Sequence, residues 1–175
     1  VGLESILTEA RRLGEVLDSR AGAERLCADI QARLDAVRAR VAGRPPVSVL
    51  LVTAREPGAL NGLQAVGPGG FLDDLIGLAG GVNVVADLPQ SYGPVSKEML
   101  LARGPAVVVE LHGEGGDAEA LLREARALWA GLPSLPAVRD GRVYAIEATY
   151  AMIPGPRVVE LAERLVEFLH GGAGP

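Results

Sequence analysis

A single cysteine, Cys27, stands among the 175 residues, which excludes a disulfide within the chain and any cysteine-based metal cluster. Its place beside an apolar helical stripe marks it as a small buried or half-buried hydrophobe. Aromatic residues make up only 3% of the sequence, so a core must be built from Ala, Val and Leu. There is no basic run and the net charge is −5, which argues against nucleic acid as a partner. No apolar stretch approaches the roughly 20 residues of a membrane span. The opening residues do not read as a signal peptide, because VGLESILTEARRLGEVLD is already an amphipathic helix with acidic residues. The sequence does not begin with Met, so a processed or excised piece is expected. No G-x-S-x-G, P-loop or H-E-x-x-H is present, and no nucleophile–base pair stands out. Catalytic residues and an intrinsic cofactor are therefore not expected.

What is there suits a packed α/β domain. Nearly half the residues are hydrophobic (49%), and 23 Gly and 12 Pro supply tight turns. The longest periodic stretch runs from Ala21 to Val41. Leu26, Ile30, Leu34, Val37 and Val41 follow at steps of four, four, three and four, which places them on one helical face. At about 1.5 Å per residue this is a rod of roughly 30 Å. Glu4 to Val16 reads as a helix before it, and Pro45-Pro46 ends it.

Beyond Pro46, strand and helix patterns alternate. Val47 to Thr53 is a β-branched apolar run of the kind buried on both faces of a parallel sheet. A long Gly/Pro-rich loop over 54–70 leads to a helix at Phe71 to Ala79, and Val82 to Ala86 is a second strand. A loop at 87–94 precedes a short helix with Ser96 as N-cap. Pro105 to Leu111 is a third strand, Asp117 caps a helix to Ala130, and a loop covers 133–140. Arg142 to Ile146 is a fourth strand, and Arg157 to His170 is the last helix. The alternation predicts an α/β fold with a mainly parallel sheet of four to five strands and helices on both faces.

Four stretches give this order a resemblance: FLDDLIGLAGGVNVVAD at 71–87, YGPVSKEMLLARGPAVVVEL at 92–111, LPSLPAVRDGRVYAI at 132–146 and GPRVVELAERLVEFLHG at 155–171. Together they resemble the second, Rossmann-like lobe of the periplasmic binding proteins for cobalamin, haem and iron-siderophores. In that family one long rigid helix joins two α/β lobes. The resemblance implies residues 1–18 as a helix adjoining a missing first lobe, 19–43 as the interlobe helix and 44–175 as the C-terminal lobe. It implies a non-enzymatic, periplasmic or membrane-anchored extracytoplasmic component of an ABC importer. Such a component captures a metal chelate (a corrinoid, haem or ferric siderophore) between its lobes and delivers it to a membrane permease. With one lobe missing, part of the stripe Leu26–Val41 is expected to be open or covered by a second copy, as a homodimer.

Ligands of open α/β sheets sit outside the carboxyl ends of the strands. Here those ends are the loops at 54–70, 87–94, 111–117 and 147–155, and the resemblance puts the inter-lobe cleft on the same side. They carry Arg55, Glu56, Asn61, Gln64, Tyr92, His112, Glu114, Glu147, Thr149 and Tyr150. Arg55, Tyr92, His112, Glu147 and Tyr150 are the candidate ligand-binding residues. A tyrosine ring can pack on a macrocycle or hydrogen-bond a siderophore oxygen. Tyr144 belongs to the core by its strand position. Glu110, His112 and Glu114 alternate toward one side, as a carboxylate–imidazole metal site would, but a lone histidine leaves that thin and no metal ligand is assigned. His170 reads as frayed surface. The loop Gly67-Pro68-Gly69-Gly70 has amides that can approach an anion, or it is simply a tight entry to a helix. The resemblance implies that Glu119, or Glu114 in its place, engages basic residues of the permease; alternatively Asp117 and Glu119 complement a helix N-terminus.

Two other readings remain open. One is a Rossmann-like nucleotide-dependent enzyme domain, against which the missing glycine fingerprint after Thr53 counts. The other is an interaction module on the same fold that transports nothing.

Overall fold

The computed structural model describes residues 2–113, 117–147 and 149–171. Two antiparallel helices, α1 (Leu3–Val16) and α2 (Arg20–Val41), come first. They meet where Gly14 lies against Ala23: a Cβ on Gly14 would sit 2.3 Å from that of Ala23, so only glycine allows this approach. Asp18 turns the elbow with φ +51°.

The stripe of α2 is covered within the chain. Cys27, Ile30, Leu34 and Val37 are buried against α1, α3 (Phe71–Leu78) and α7 (Val158–His170). Leu26 instead faces outward, and Cys27 takes the place expected for it. Of the stripe expected to lie partly open, Leu26 is exposed, while Ile30, Leu34 and Val37 are covered within the chain. The apolar surface left open lies at the elbow, on Leu13, Val16, Leu17 and Leu26. A groove of about 500 Å³ runs there between the helix pair and Pro154–Pro156.

The sheet runs β4-β2-β1-β5-β6, with β3 also on β1. Its strands are β1 (Val47–Ala54), β2 (Gln64–Val66), β3 (Gly81–Asn83), β4 (Tyr92–Pro94), β5 (Val107–His112) and β6 (Val143–Glu147). β3, β5 and β6 are parallel to their neighbours, as predicted. β2 and β4 lie inside loops predicted to be irregular, and they pair antiparallel. β3 takes one edge of β1 at Val47–Val49, and β2 takes the same edge beyond, at Val52–Ala54. Three-residue strands carry no periodicity; the open half-edge of β1 recruits them.

β3 stops at Asn83 rather than Ala86. The buried Asn83 amide donates to the Val66 carbonyl and the Asp73 carboxylate, and its oxygen accepts from Val85 N–H. That turn breaks the strand.

Alternation along β1 and β5 divides the core in two. Val49, Leu51, Val107, Val109 and Leu111 meet α2, α3 and α7 on one face. Leu50, Val52 and Val108 meet the other face, with Trp129 of α5 (Ala118–Trp129) and Ala137 of α6 (Pro136–Arg139). The helix α6 occupies part of the loop expected at 133–140. Between β5 and β3 in sequence, α4 (Lys97–Arg103) starts at Ser96, whose hydroxyl accepts from Met99 N–H as predicted. Tyr144 is core, stacked on Phe168 with ring centroids 4.3 Å apart. His170 is not frayed: its Nε2 bonds the Ala79 carbonyl, and Arg44 and Arg142 donate to the last carbonyls of α7. No helix among the described residues is long and apolar enough to cross a membrane.

Candidate ligand-binding site

The parallel strands β1, β5 and β6 end at Ala54, His112 and Glu147. A depression of about 290 Å³ opens between the ends of β1 and β5 and the first turns of α5, reaching Leu121 and Glu124. Its floor is charged. Because β5 alternates, Val108, Glu110 and His112 project toward α5 while Val109 and Leu111 project to the opposite core.

A carboxylate at the end of a strand this deeply buried needs partners, since an isolated buried charge is prohibitive. Glu110 has three. Arg55 Nε lies 3.0 Å from Oε1 and 3.2 Å from Oε2, Trp129 Nε1 donates to Oε1 at 2.7 Å, and His112 Nε2 is 2.9 Å from Oε2. The side chains of Arg55 and Glu110 are 6% and 2% exposed. Arg55 also reaches Glu124 at 3.1 Å and the Glu56 carbonyl at 3.3 Å, which ties the loop after β1 to the floor.

Of the candidate ligand-binding residues, the structure brings Arg55 and His112 together and sets Glu147 beside His112 in register on β6. Arg55 is committed to the carboxylate floor rather than standing open. Tyr150, in the 3-10 turn Thr149–Met152, packs on the α7 side of the sheet with the Arg157 guanidinium 4.2 Å above its ring. Burial raises the pKa of its hydroxyl, and Glu160 adds to that. Tyr92 stands apart on β4, paired with Val66 at the far edge of the sheet. Its hydroxyl pKa is also raised by burial, although much of the residue is exposed.

Gly67 and Gly69 do not offer free amides to an anion. Gly67 N–H bonds the Ser91 carbonyl and Gly69 N–H bonds the Asp73 carboxylate. Glu119 is an exposed acid in the first turn of α5, 3.7 Å from Arg123, while Asp117 caps the helix on Glu119 N–H. Glu114 lies outside the described residues. Among the described residues no group of three His, Cys, Asp or Glu side chains converges as a metal site, and the Glu110 carboxylate is already engaged.

The sequence reading missed Trp129 and Glu124. The signal was there for the first: a lone tryptophan in an aliphatic core must find an acceptor for its N–H, and a glutamate within the apolar run of β5 must find donors.

A family model described as periplasmic binding protein matches residues 1–150. A vitamin B12-binding protein of Vibrio cholerae serotype O1 is 25% identical over 141 residues, covering 81% of this chain and 47% of that protein. A cobalamin-binding protein of Halobacterium salinarum is 33% identical over 109 residues, covering 59% of this chain and 28% of its own length. Among solved structures, an ABC-type Fe3+-hydroxamate transport system from Saccharomonospora viridis superposes with a TM-score of 0.83 at 25% identity, over 97% of this chain and 57% of that one. A periplasmic heme binding protein from Pseudomonas aeruginosa gives 0.78 at 26% identity, over 99% of this chain and 62% of that one. The chain spans about half the length, or less, of the curated relatives it matches.

Proposed function

The chain belongs to the periplasmic binding protein family, and from that premise we propose that it is one lobe and the connecting helix of the substrate-binding component of an ABC importer. Its cargo is a metal chelate of the corrinoid, haem or ferric siderophore class, captured in an extracytoplasmic compartment. The named relatives bind vitamin B12, cobalamin or heme, or take part in Fe3+-hydroxamate transport.

The observation that carries the reading is the preformed, charge-lined depression at the carboxyl ends of β1 and β5, where an open α/β sheet takes its ligand. A second lobe would close it. The apolar elbow of Leu13, Leu17 and Leu26 beside Pro154–Pro156 suits a seat for that lobe. Glu119, exposed at the start of α5, is the acidic contact offered to a permease, with Glu114 as the alternative. Against a nucleotide-dependent enzyme stands the internal use of the Gly67 and Gly69 amides, which leaves that loop without a phosphate cradle.

The test is a titration of the protein, in the full length of its relatives, with hydroxocobalamin, ferric haem and a ferric trihydroxamate. Tryptophan emission is the readout, because the sole tryptophan of this chain hydrogen-bonds the floor of the depression. Micromolar or tighter binding of one of the three is expected. Failure of all three overturns the reading.

A further inference from the structure

The loop that follows β1 forms one wall of the depression, and it is held at both ends. Leu60 and Leu63 anchor its far end in the core that holds Trp129. At its near end the Glu56 peptide is tied on both sides. Its N–H donates to the Asn61 carbonyl, and its own carbonyl accepts from Ala59 N–H at 3.2 Å and from Arg55 Nη1 at 3.3 Å. Between the two anchors stand Pro57, which lines the depression, and Gly58, which turns with φ +69°. The Arg55 guanidinium crosses the floor to the opposite wall, with Nε on Glu110 of β5 and Nη2 donating to Glu124 of α5 at 3.1 Å. Glu110 is buried and fixes the guanidinium, whereas Glu124 is half-exposed at the rim. All three guanidinium nitrogens are thus spent inward, on three separate elements, and the side chain is only 6% exposed. A planar fork can serve these partners at once; a single ammonium cannot. Burying such a charge is a poor way to gain stability alone, and one carboxylate partner would suffice for a pair.

We propose that Arg55 is a positioning residue for capture: it latches the loop over 55–63 against β5 and α5, so that Pro57 and the rim are in place before a ligand arrives. The inference rests on the chelate-binding reading and deepens it. A wall that had to be ordered at each encounter would cost affinity, because binding weakens by the fraction of molecules in which the wall is formed. Arg55 removes that cost without touching the cargo. The near end of the loop depends on it most, since Leu60 and Leu63 hold the far end by apolar contact. Of the two carboxylates, Glu110 seats the guanidinium and Glu124 closes the latch at the rim.

The test compares amide hydrogen exchange of the chain in wild type, Arg55→Lys and Glu124→Ala. Arg55→Lys keeps a cation beside Glu110 but cannot reach all three partners. Glu124→Ala removes only the half-exposed anchor and leaves the buried pair intact. Loss of one charge-assisted hydrogen bond changes an opening equilibrium by about tenfold. The amides of Glu56 and Ala59, which close the loop on itself, are therefore expected to exchange about tenfold faster in Arg55→Lys. Glu124→Ala is expected to move them in the same direction by less, and the middle of α2 and α7 is expected to exchange as in wild type. The protein in the full length of its relatives is then titrated with hydroxocobalamin, ferric haem and a ferric trihydroxamate. Whichever binds wild type is expected to bind Arg55→Lys about tenfold more weakly. Unchanged exchange at Glu56 and Ala59 in both variants overturns the inference, as does wild-type affinity in an Arg55→Lys protein whose loop has opened. Faster exchange spread over the whole chain also overturns it, because Arg55 then serves the fold and not the wall. A wild type that binds none of the three overturns the wider reading and, with it, the part of Arg55 in capture.

Discussion

Two arginine–glutamate pairs, on opposite faces of one sheet, show how burial changes what the same chemistry does. Arg55 and Glu110 sit at the carboxyl end of the strands, 6% and 2% exposed, with Trp129 and His112 sharing the carboxylate. Arg33 and Glu163 join α2 to α7 through two contacts at 2.9 and 2.8 Å, yet their side chains are 38% and 36% exposed. The second pair has the better fork geometry and contributes less. Water screens it, and ordering two long side chains offsets most of the attraction, so its net worth is about 0.2–1 kcal/mol. The first pair gives up hydration of both ions, which makes it weak as a device for stability alone. Its value is in what it positions: the loop after β1 through the Glu56 carbonyl, and the His112 ring. The α2–α7 contact is fastened by apolar packing, the strand ends by charge.

The comparison can be broken most forcefully at Glu110. Glu110→Ala leaves the buried Arg55 with only the half-exposed Glu124 as a counter-charge and Trp129 N–H without its acceptor, so a loss of about 3 kcal/mol in urea or thermal unfolding is expected. Replacing Arg55 and Glu110 together by leucines is expected to lose less than that single change, because no buried arginine is left with a single, half-exposed partner. A double loss equal to the sum of the singles would mean that the two residues do not act as a pair.

The surface pair gives the smaller effect. Arg33→Ala is expected to lower stability by about 0.2–1 kcal/mol, less so in 1 M salt, where the Debye length falls to about 3 Å. Its pH signature has a definite sign. The hydrogen bond from Arg33 holds the Glu163 carboxyl below its ordinary 4.5. The pair's contribution is therefore fully present above that value and fades as pH falls through the lower folded one. Wild type and Arg33→Ala should accordingly differ in melting temperature at neutral pH and converge at the acid end.

How much of this was legible in the sequence follows from where each signal is carried. β1 and β5 announce themselves because both faces are buried, so their apolar runs are nearly continuous. The helix α2 was legible by period, though one residue off in detail: Cys27 faces in and Leu26 out. β2 and β4 were hidden, since three residues cannot display a period and their pairing depends on an edge that β3 leaves vacant. The candidate site was legible in part. Arg55 and His112 follow from the rule that strand ends face ligand, but Trp129 and Glu124 enter from α5, 74 and 69 positions beyond Arg55. Only the three-dimensional crossing of α5 over β5 brings them to one carboxylate.

The most direct test of the account is amide hydrogen exchange of the full-length protein, with and without hydroxocobalamin, ferric haem and a ferric trihydroxamate. The chelate that binds is expected to slow exchange at the strand carboxyl ends, over 54–63 and 111–113, and to leave the middle of α2 and α7 unchanged. Protection centred on the α2–α7 face, with the ends of β1 and β5 unaffected, would contradict it.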